Sequence, residues 1–403
     1  MKQNKKLYLY SDTSICCAGK TWDASLQKAL YTPEYTQSFQ TMTIGELRCP
    51  VARIPDAWLS SPSNGLRVEA LLEQILEQVT EPVAECIRRY GANRVGVCAG
   101  SCDNGSEASL EAHETFFSQG SFPDGYSLRQ QNPAQVADYI QTRLGTAGPA
   151  VTVATACASS ATAVIEAAQL VLADICDAVL VAGVDLVSPT VFMGFNALEA
   201  VSSTGCNPFS SNRKGITLGE AATCVIVSRD KPATNNYVEL LGFGESADAN
   251  HMTAPLETGD GAVAAMEQAI LMAGIQRNEI SYVNLHGTGT PLNDAMESRA
   301  IAKVFPETYC EGGRLKVSST KAITGHTLGA AGCLELSICM RTLYDKSMKG
   351  RLPIHHWDGQ RDPDLPRLQF AAAGDKITSQ LCMTNSFAFG GCNTSLIIGR
   401  KET

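Results

Sequence analysis

The hydrophobic pattern along the chain changes period several times, and each change marks an element. Apolar, β-branched runs recur at 94–101 (R-V-G-V-C-A-G-S), Val151 to Ala156, Asp177 to Asp185 (D-A-V-L-V-A-G-V-D) and Ala222 to Arg229, with few polar interruptions. Runs of this kind read as strands buried on both faces. Between them the spacing widens to the helical repeat. Arg67 to Tyr90, with L-L-E-Q-I-L-E-Q-V at its centre, predicts an amphipathic helix, and Asn132 to Leu144 predicts another. After Val151 to Ala156, the residues Ala161, Val164, Ile165, Ala168 and Leu172 fall at i, i+3, i+4, i+7 and i+11. A strand therefore passes through Cys157 into a packed helix. The start, 7–30, reads as a strand, a turn at Ala18-Gly19 and a helix from near Thr21, and 31–64 reads as a loop-rich connection. Cys102 to Gln131, polar and glycine-rich with three phenylalanines and a tyrosine, reads as an exposed insertion or a partner surface.

The second half repeats the order of the first. A helix from Gly261 to Gly274 precedes Y-V-N-L-H-G-T-G-T at Tyr282, as the Arg67 helix precedes the strand at Arg94. Leu315-K-V-S-S-T leads into a Gly/Ala-rich helix as Val151 leads into its own, and T-S-L-I-I-G-R at Thr394 matches T-C-V-I-V-S-R at Thr223. By this repeat, His326 stands roughly where Cys157 stands in the first half. Collinear matches favour two similar α/β halves, 1–235 and 236–403, joined near 231–236. Apolar strands alternating with helices predict mostly parallel sheets covered on both faces.

Composition narrows the classes. At 403 residues and 44% hydrophobic, the chain can bury a large core. A net charge of −9 argues against nucleic-acid binding, which needs clustered Lys and Arg. Fifteen cysteines, an odd number scattered through apolar segments, read as packing thiols in a reducing cytoplasm rather than a disulfide framework. Cys98 and Cys102 could hold half a zinc site, but no second pair follows, so no metal is expected. The N-terminus lacks the apolar core of a signal peptide, and no run approaches the roughly 20 apolar residues of a membrane span.

Chemistry concentrates at the strand-to-helix junctions. Unpaired amides at a helix start favour an anion such as a thiolate, and the neighbours Ala156, Ala158, Ser159 and Ser160 are small enough to admit an acyl group. A cysteine that simply fills space is the competing reading. Of six histidines, His286 opens H-G-T-G-T-P-L-N-D after a strand, and His326 lies in K-A-I-T-G-H-T-L-G-A-A-G. A lone histidine near a strand end is more often a hydrogen-bonded structural residue. Together with Cys157 they outline one site shared by paired halves.

The segments T-A-C-A-S-S, H-G-T-G-T-x-L-N-D-x-x-E, K-x-x-x-G-H-T-L-G-A-A-G and N-S-F-A-F-G-G-C-N resemble those of the β-ketoacyl-acyl carrier protein synthases, the elongating condensing enzymes of fatty acid and polyketide synthesis. Weaker echoes lie at 215–222 and 246–255. The resemblance implies a thiolase-like fold of two duplicated halves in αβαβα layers. It implies an acyltransferase that joins an acyl-cysteine to a malonyl unit by decarboxylative Claisen condensation. Cys157 would accept the acyl group; His286 and His326 would bind the malonyl thioester carbonyl as neutral donors; Lys321, held by Glu335, would orient the pocket. Amides of Cys157 and Phe389 would form the oxyanion hole, with Phe389 gating malonyl entry beside Phe387. Thr288 and Thr290 would contact a phosphopantetheine arm, Phe195 would limit the acyl pocket, and His251 and Thr253 would line the entrance. Asp294 and Glu297 are expected to be structural. Substrates would ride on acyl carrier protein, with no separate cofactor, and the enzyme would be a homodimer or pair with a chain-length-factor-like subunit.

Three departures mark a divergent branch, read as secondary-metabolite or unusual-lipid synthesis. The opening S-D-T-S-I-C-C-A-G lacks the family's glycine-rich start, Ala388 replaces a glycine in the gating loop, and Ser210 and Lys214 stand where aspartates are common. Related alternatives fit less well. A thiolase would carry a second cysteine in place of one histidine, a non-catalytic chain-length subunit would lack Cys157, and an initiating synthase would show asparagine at position 326.

Overall fold

The computed structural model describes residues 6–20, 22–37, 39–59, 66–103, 105–305 and 314–400. In the first half the strands are β1 (Tyr8–Cys16), β2 (Gly19–Lys20), β3 (Gln40–Ile44), β4 (Leu47–Val51), β5 (Val95–Gly100), β6 (Ala150–Val153), β7 (Ala178–Asp185) and β8 (Ala221–Ser228). The helices there are α1 (Ala24–Tyr31), α2 (Arg67–Tyr90), α3 (Ser106–Gln119), α4 (Gln135–Leu144), α5 (Ser159–Leu172) and α6 (Pro189–Ala197). The second half has strands β9 (Tyr237–Ala247), β10 (Tyr282–Asn284), β11 (Lys316–Ser318), β12 (Leu381–Phe387) and β13 (Cys392–Gly399). Its helices are α7 (Asp260–Ala273), α8 (Pro291–Val304), α9 (Lys321–Thr324) and α10 (Ala331–Tyr344).

The main sheet runs β11-β10-β12-β13-β9-β1-β8-β7-β5-β6. Numbered within its own half, each set of five strands has the order 3-2-4-5-1, so the duplication is visible in the topology. In each set four strands point one way and the fifth, β8 or β13, runs against its neighbours. The halves meet edge to edge where β1 pairs antiparallel with β9.

Burial arranges the helices into layers. Val164 and Ile165 of α5 and Leu336, Cys339 and Met340 of α10 share one core with Val179 and Val225 of the first sheet and Leu396 of the second. These two helices are thus the central layer between the sheets. On the outer face of the first sheet, Leu72, Ile75 and Val79 of α2 and Ile140 of α4 pack on Val97, Leu180 and Ile226. On the outer face of the second, Met266 and Ile270 of α7 and Met296 and Ile301 of α8 pack on Val283, Met383 and Ile397. Each such Leu, Ile or Met is worth about 1.5–3 kcal/mol when fully buried. The result is the αβαβα layering of the thiolase-like fold.

The central layer is tight. A Cβ on Gly332 of α10 would stand 2.6 Å from the Cβ of Ala161 in α5, and one on Gly100 of β5 would stand 2.3 Å from the Ser160 amide nitrogen. Glycine is required there by close approach rather than by a turn.

One sequence expectation needs correction and two others are refined. Residues 31–64 are not only a loop, because β3 and β4 form a hairpin whose Met42, Ile44, Leu47, Cys49 and Val51 pack on Phe192, Ile216 and Leu218. Its apolar residues alternate with Thr, Gln and Arg, so no continuous run announces it. Residues 102–131 contain α3, flanked by left-handed Gly105 and Gly120. Phe116, Phe122 and Tyr126 stack beside it, and Phe117 and Leu128 are exposed. The first helix begins at Ala24, capped by Asp23, and Thr21 lies outside the described residues.

Candidate active site

Cys157 is the middle residue of a one-turn 3-10 helix, Ala156–Ala158, that joins β6 to α5. Ala156 before it is held at φ 47°, a left-handed conformation costly for a side chain with a Cβ. This bend turns the thiol off the end of the strand. The Ser159 hydroxyl secures it, donating to the Ala156 carbonyl at 2.6 Å and accepting from the Thr155 amide at 3.0 Å.

The second half supplies the partners. His286 follows β10, and its amide and that of Gly287 both donate at 2.7 Å to the buried Glu297 carboxyl. Asp294 likewise accepts from the Phe209 and Gly289 amides. Both acids therefore shape the H-G-T-G-T loop from behind. His326 is clamped through its backbone: its amide donates to Thr217 O at 2.7 Å and its carbonyl accepts from Gly219 N at 2.9 Å. The G-I-T-L-G-E segment of the first half thus fixes a histidine of the second. Glu220, next in line and fully buried, accepts from the Ile54 and Val187 amides and from Arg67.

These groups converge. His326 Nε2 lies 3.0 Å from Cys157 Sγ, and the His286 and His326 rings meet edge to face at 5.3 Å. Lys321, wholly buried, approaches Glu335 Oε1 at 2.5 Å, the His286 carbonyl at 2.6 Å and His286 Nδ1 at 3.4 Å. The ammonium can only donate, so His286 Nδ1 is the acceptor and its proton sits on Nε2. Burial, aided by the Lys321 charge, holds both imidazoles well below the usual histidine range. They are neutral at physiological pH.

Cys157 departs from the expectation drawn from its helix. Burial pushes its thiol up to about 12; Lys321 and the amides of Cys157 and Phe389 act in the opposite direction and do not overcome it. Those two amides nevertheless point at the sulfur, at the place where an oxyanion hole was expected. Desolvation here outweighs the helix start.

A cavity of about 360 Å³ leads outward from these groups. Thr253, Thr288, Thr290, Phe195, Phe387 and Phe389 all border it. The Thr288 and Thr290 hydroxyls share a 2.9 Å hydrogen bond, and the Phe195 and Phe389 rings stack at 5.7 Å. His251 does not border the cavity but accepts from the Thr253 and Ala254 amides and so shapes its rim. Ala388 has φ −125°, open to any residue, whereas Gly390 and Gly391 carry the left-handed turn of the loop. Ser210 donates to Asp358, away from the chemistry.

By ligand type, Cys157, His286 and His326 could hold a soft metal ion, their donor atoms lying within 4.8 Å of one another. The ammonium of Lys321 beside His286 opposes a second cation there. Cys98 faces the central apolar core while the Cys102 thiol donates to Asp185, so the two do not form half a site. Sequence reasoning gave no role to Asp185 or Glu220, which end or precede apolar runs, where a lone acid carries little signal.

A thiol and two neutral imidazoles in one cavity, one imidazole placed as general base on the sulfur, have the arrangement of a thiol acyltransferase of the condensing class. Comparison with known proteins is specific. The beta-ketoacyl synthase N-terminal domain model matches residues 73–233 and the C-terminal domain model matches 237–355. The chain belongs to the β-ketoacyl synthase family. It is 33% identical over 327 residues to the 3-oxoacyl-[acyl-carrier-protein] synthase 2 of Staphylococcus aureus (strain COL), covering 78% of this chain and 77% of that protein. Among solved structures it resembles the ketosynthase ApeO, in complex with its chain length factor ApeC, from Xenorhabdus doucetiae, with a TM-score of 0.88, 34% identity and coverage of 100% and 99%. A beta-ketoacyl synthase from Burkholderia phymatum STM815 gives a TM-score of 0.82 at 27% identity, covering 99% of this chain and 100% of that one.

Proposed function

We propose that the chain elongates acyl groups carried on acyl carrier protein by decarboxylative condensation with malonyl carrier, in fatty acid or polyketide-like synthesis. The observation that carries this is the 3.0 Å contact of His326 with Cys157 beside a second, Lys321-oriented histidine. In the first step the Cys157 proton passes to His326 Nε2 as sulfur attacks the acyl thioester. The carbon–sulfur bond to pantetheine breaks, and the proton leaves on the pantetheine thiol. In the second, loss of carbon dioxide leaves an electron pair on the malonyl α-carbon. His286 Nε2–H, and His326 once acylation has removed the Cys157 proton and its ring has shifted its own proton to Nε2, would face the resulting enolate oxygen, which suits neutral donors aimed at developing charge. The α-carbon attacks the acyl-cysteine carbonyl, whose oxygen would meet the Cys157 and Phe389 amides; the bond from that carbon to the Cys157 sulfur breaks, and the thiolate takes up a proton from solvent, relayed by His326, as the β-ketoacyl product departs. No electron acceptor is required, so phosphopantetheine on the carrier is the only group the reaction calls for.

Two surfaces support the partners. The cavity mouth is framed by Leu198 and Leu292, both exposed, beside the exposed Glu199, with no Lys or Arg among its lining residues, so the carrier would meet a largely apolar rim. Strand β6 is the free edge of the sheet, with Val151 40% exposed. A sheet edge that ends on a half-exposed strand is a place for a second subunit. The ApeO neighbour favours a chain-length-factor-like partner over a second copy, and native mass measurement with neighbouring gene products decides between them.

The test is an intact-mass spectrum after incubation with acyl carrier. It should show one acyl adduct, absent in Cys157→Ala, and malonyl carrier should convert it to β-ketoacyl product. An adduct that survives Cys157→Ala defeats the assignment, and undiminished condensation in His326→Ala removes that residue from the second step.

A further inference from the structure

Asp185, the last residue of β7, is fully buried beside the nucleophile's turn. Its Oδ1 accepts from Ser101 Oγ and the Cys102 and Asp103 amides, each at 3.0 Å, and its Oδ2 from Cys102 Sγ at 3.0 Å and the Gly329 amide at 2.5 Å. The last contact crosses between the halves. Gly329 is the middle residue of the one-turn 3-10 helix Leu328–Ala330, which opens α10 as Ala156–Ala158 opens α5. Leu328 before it has φ 53°, matching Ala156 at 47°. The duplicate of Cys157 is therefore Gly329, and His326 lies three residues earlier than the repeat in the sequence suggested. A Cβ at Gly329 would stand 2.5 Å from Asp185 Oδ2 and 3.2 Å from Ser159 Cβ. The vacant nucleophile position of the second turn is filled by a carboxylate from the first half, pressed against the turn that carries the sulfur.

We propose that Asp185 is a positioning residue for the nucleophile: it locks the two duplicated turns together and its charge keeps Cys157 a thiol until His326 removes the proton. The charged and titratable groups around Cys157 are Lys321 from α9, His326 from the loop after it, His286 after β10 and Asp185 from β7. Around Asp185 stand Cys102 and Asp103. Lys321 favours the thiolate and Asp185 opposes it. Burial raises the Asp185 carboxyl only to about 6, because the Cys102 thiol and the amides of Cys102 and Asp103 hold it down, so it is ionised at neutral pH. A thiol held protonated resists adventitious alkylation and oxidation, and when deprotonated at the moment of transfer it is the stronger nucleophile.

This inference rests on Cys157 being the reactive thiol but needs no carrier substrate for its test. Iodoacetamide labelling of the full chain is followed against pH by the peptide mass at Cys157. The wild-type midpoint should lie above the ordinary cysteine value of about 8.5. In Asp185→Asn the midpoint should fall by about one unit, the loss of a neighbouring like charge, whereas Asp185→Glu, which keeps the charge, should label as the wild type does. A purely structural role would lower the thermal midpoint of both variants and leave the labelling profile in place, which overturns the proposal. Whatever the variants do, a wild-type midpoint at or below about 8.5 overturns the proposal as well. Labelling that follows this pattern in a chain that forms no acyl adduct would retain the inference while defeating the proposed function.

Discussion

Replacing Lys321 by methionine separates the electrostatic role of this residue from its bulk. The ammonium and Glu335 are 0% and 1% exposed, so the variant leaves a carboxyl in the core with no cation. Breaking a buried pair by removing one member costs about 3–5 kcal/mol. With an unfolding entropy of about 2.1 cal/mol/K per residue, 403 residues convert this into a fall of about 4–6 °C in Tm. Glu335 is raised by burial and held down by Lys321, so in the variant it takes up a proton and part of the loss is offset. The double variant Lys321→Met with Glu335→Leu should regain most of the stability, because no charge is left stranded. Catalysis should respond differently. His286 loses the donor that fixes its tautomer, and decarboxylation of malonyl carrier should fall about 10²–10³-fold, as when one oxyanion donor is removed. The double variant should not recover it. Acyl adduct formation on Cys157, which uses His326, should fall far less. A thermal scan and the two half-reactions measured separately provide the check. Equal loss in both half-reactions, or activity restored by the double variant, refutes the assignment of Lys321 to His286.

Other outcomes follow from the geometry. Gly332→Ala should destabilise by about 1–3 kcal/mol through overpacking of α5 against α10, seen in denaturant melts, whereas a neutral effect would mean that the central layer is looser than described. Ala388→Gly should cost about 0.5–1 kcal/mol in an extended segment and leave the acyl adduct unchanged; a faster condensation would show that Ala388 restrains the gate. For Glu297, burial raises the carboxyl to about 8, above an unfolded value of about 4.3. Its contribution to stability is therefore complete below about pH 4.3 and lost as pH rises towards 8. Relative to wild type, Glu297→Gln should show a deficit that narrows over this range. A widening deficit would mean that the two amide hydrogen bonds keep the carboxylate ionised.

The continuous apolar strands β5, β7 and β8 and the long α2 were legible because a buried element writes its period into its own residues. So were the duplicated order and the convergence of Cys157, His286 and His326, since strand-to-helix junctions of paired sheets fall at the same end of the fold. What escaped was structure decided by distant partners. The hairpin β3-β4 owes its place to Phe192 and Leu218, more than a hundred residues away. Strands β9 and β12 carry polar or charged residues at buried positions, Glu239 in the first and Thr384, Asn385 and Ser386 in the second, which break the apolar run. The helix start alone suggested a thiol that ionises readily, and burial, which only the surrounding atoms determine, raises it instead, so that its reactivity depends on His326. Asp185 could not be found from its neighbours in the chain, because its meaning lies in Gly329, a residue notable for having no side chain.

The seam between the sheets has a mechanical consequence. Among the described residues Tyr8, Leu9 and Tyr10 pair with Glu239, Val238 and Tyr237, and this short zip, together with the shared core of α5 and α10, joins the half that holds the sulfur to the half that holds both imidazoles. Each half carries its own complete five-stranded frame, and neither carries a complete reaction. Slippage at the zip would leave nearly all the helix and strand in place while moving donor and acceptor past a 3.0 Å contact. Under heat or denaturant, activity should be lost before circular dichroism changes, the seam failing like a fuse ahead of the machine it protects.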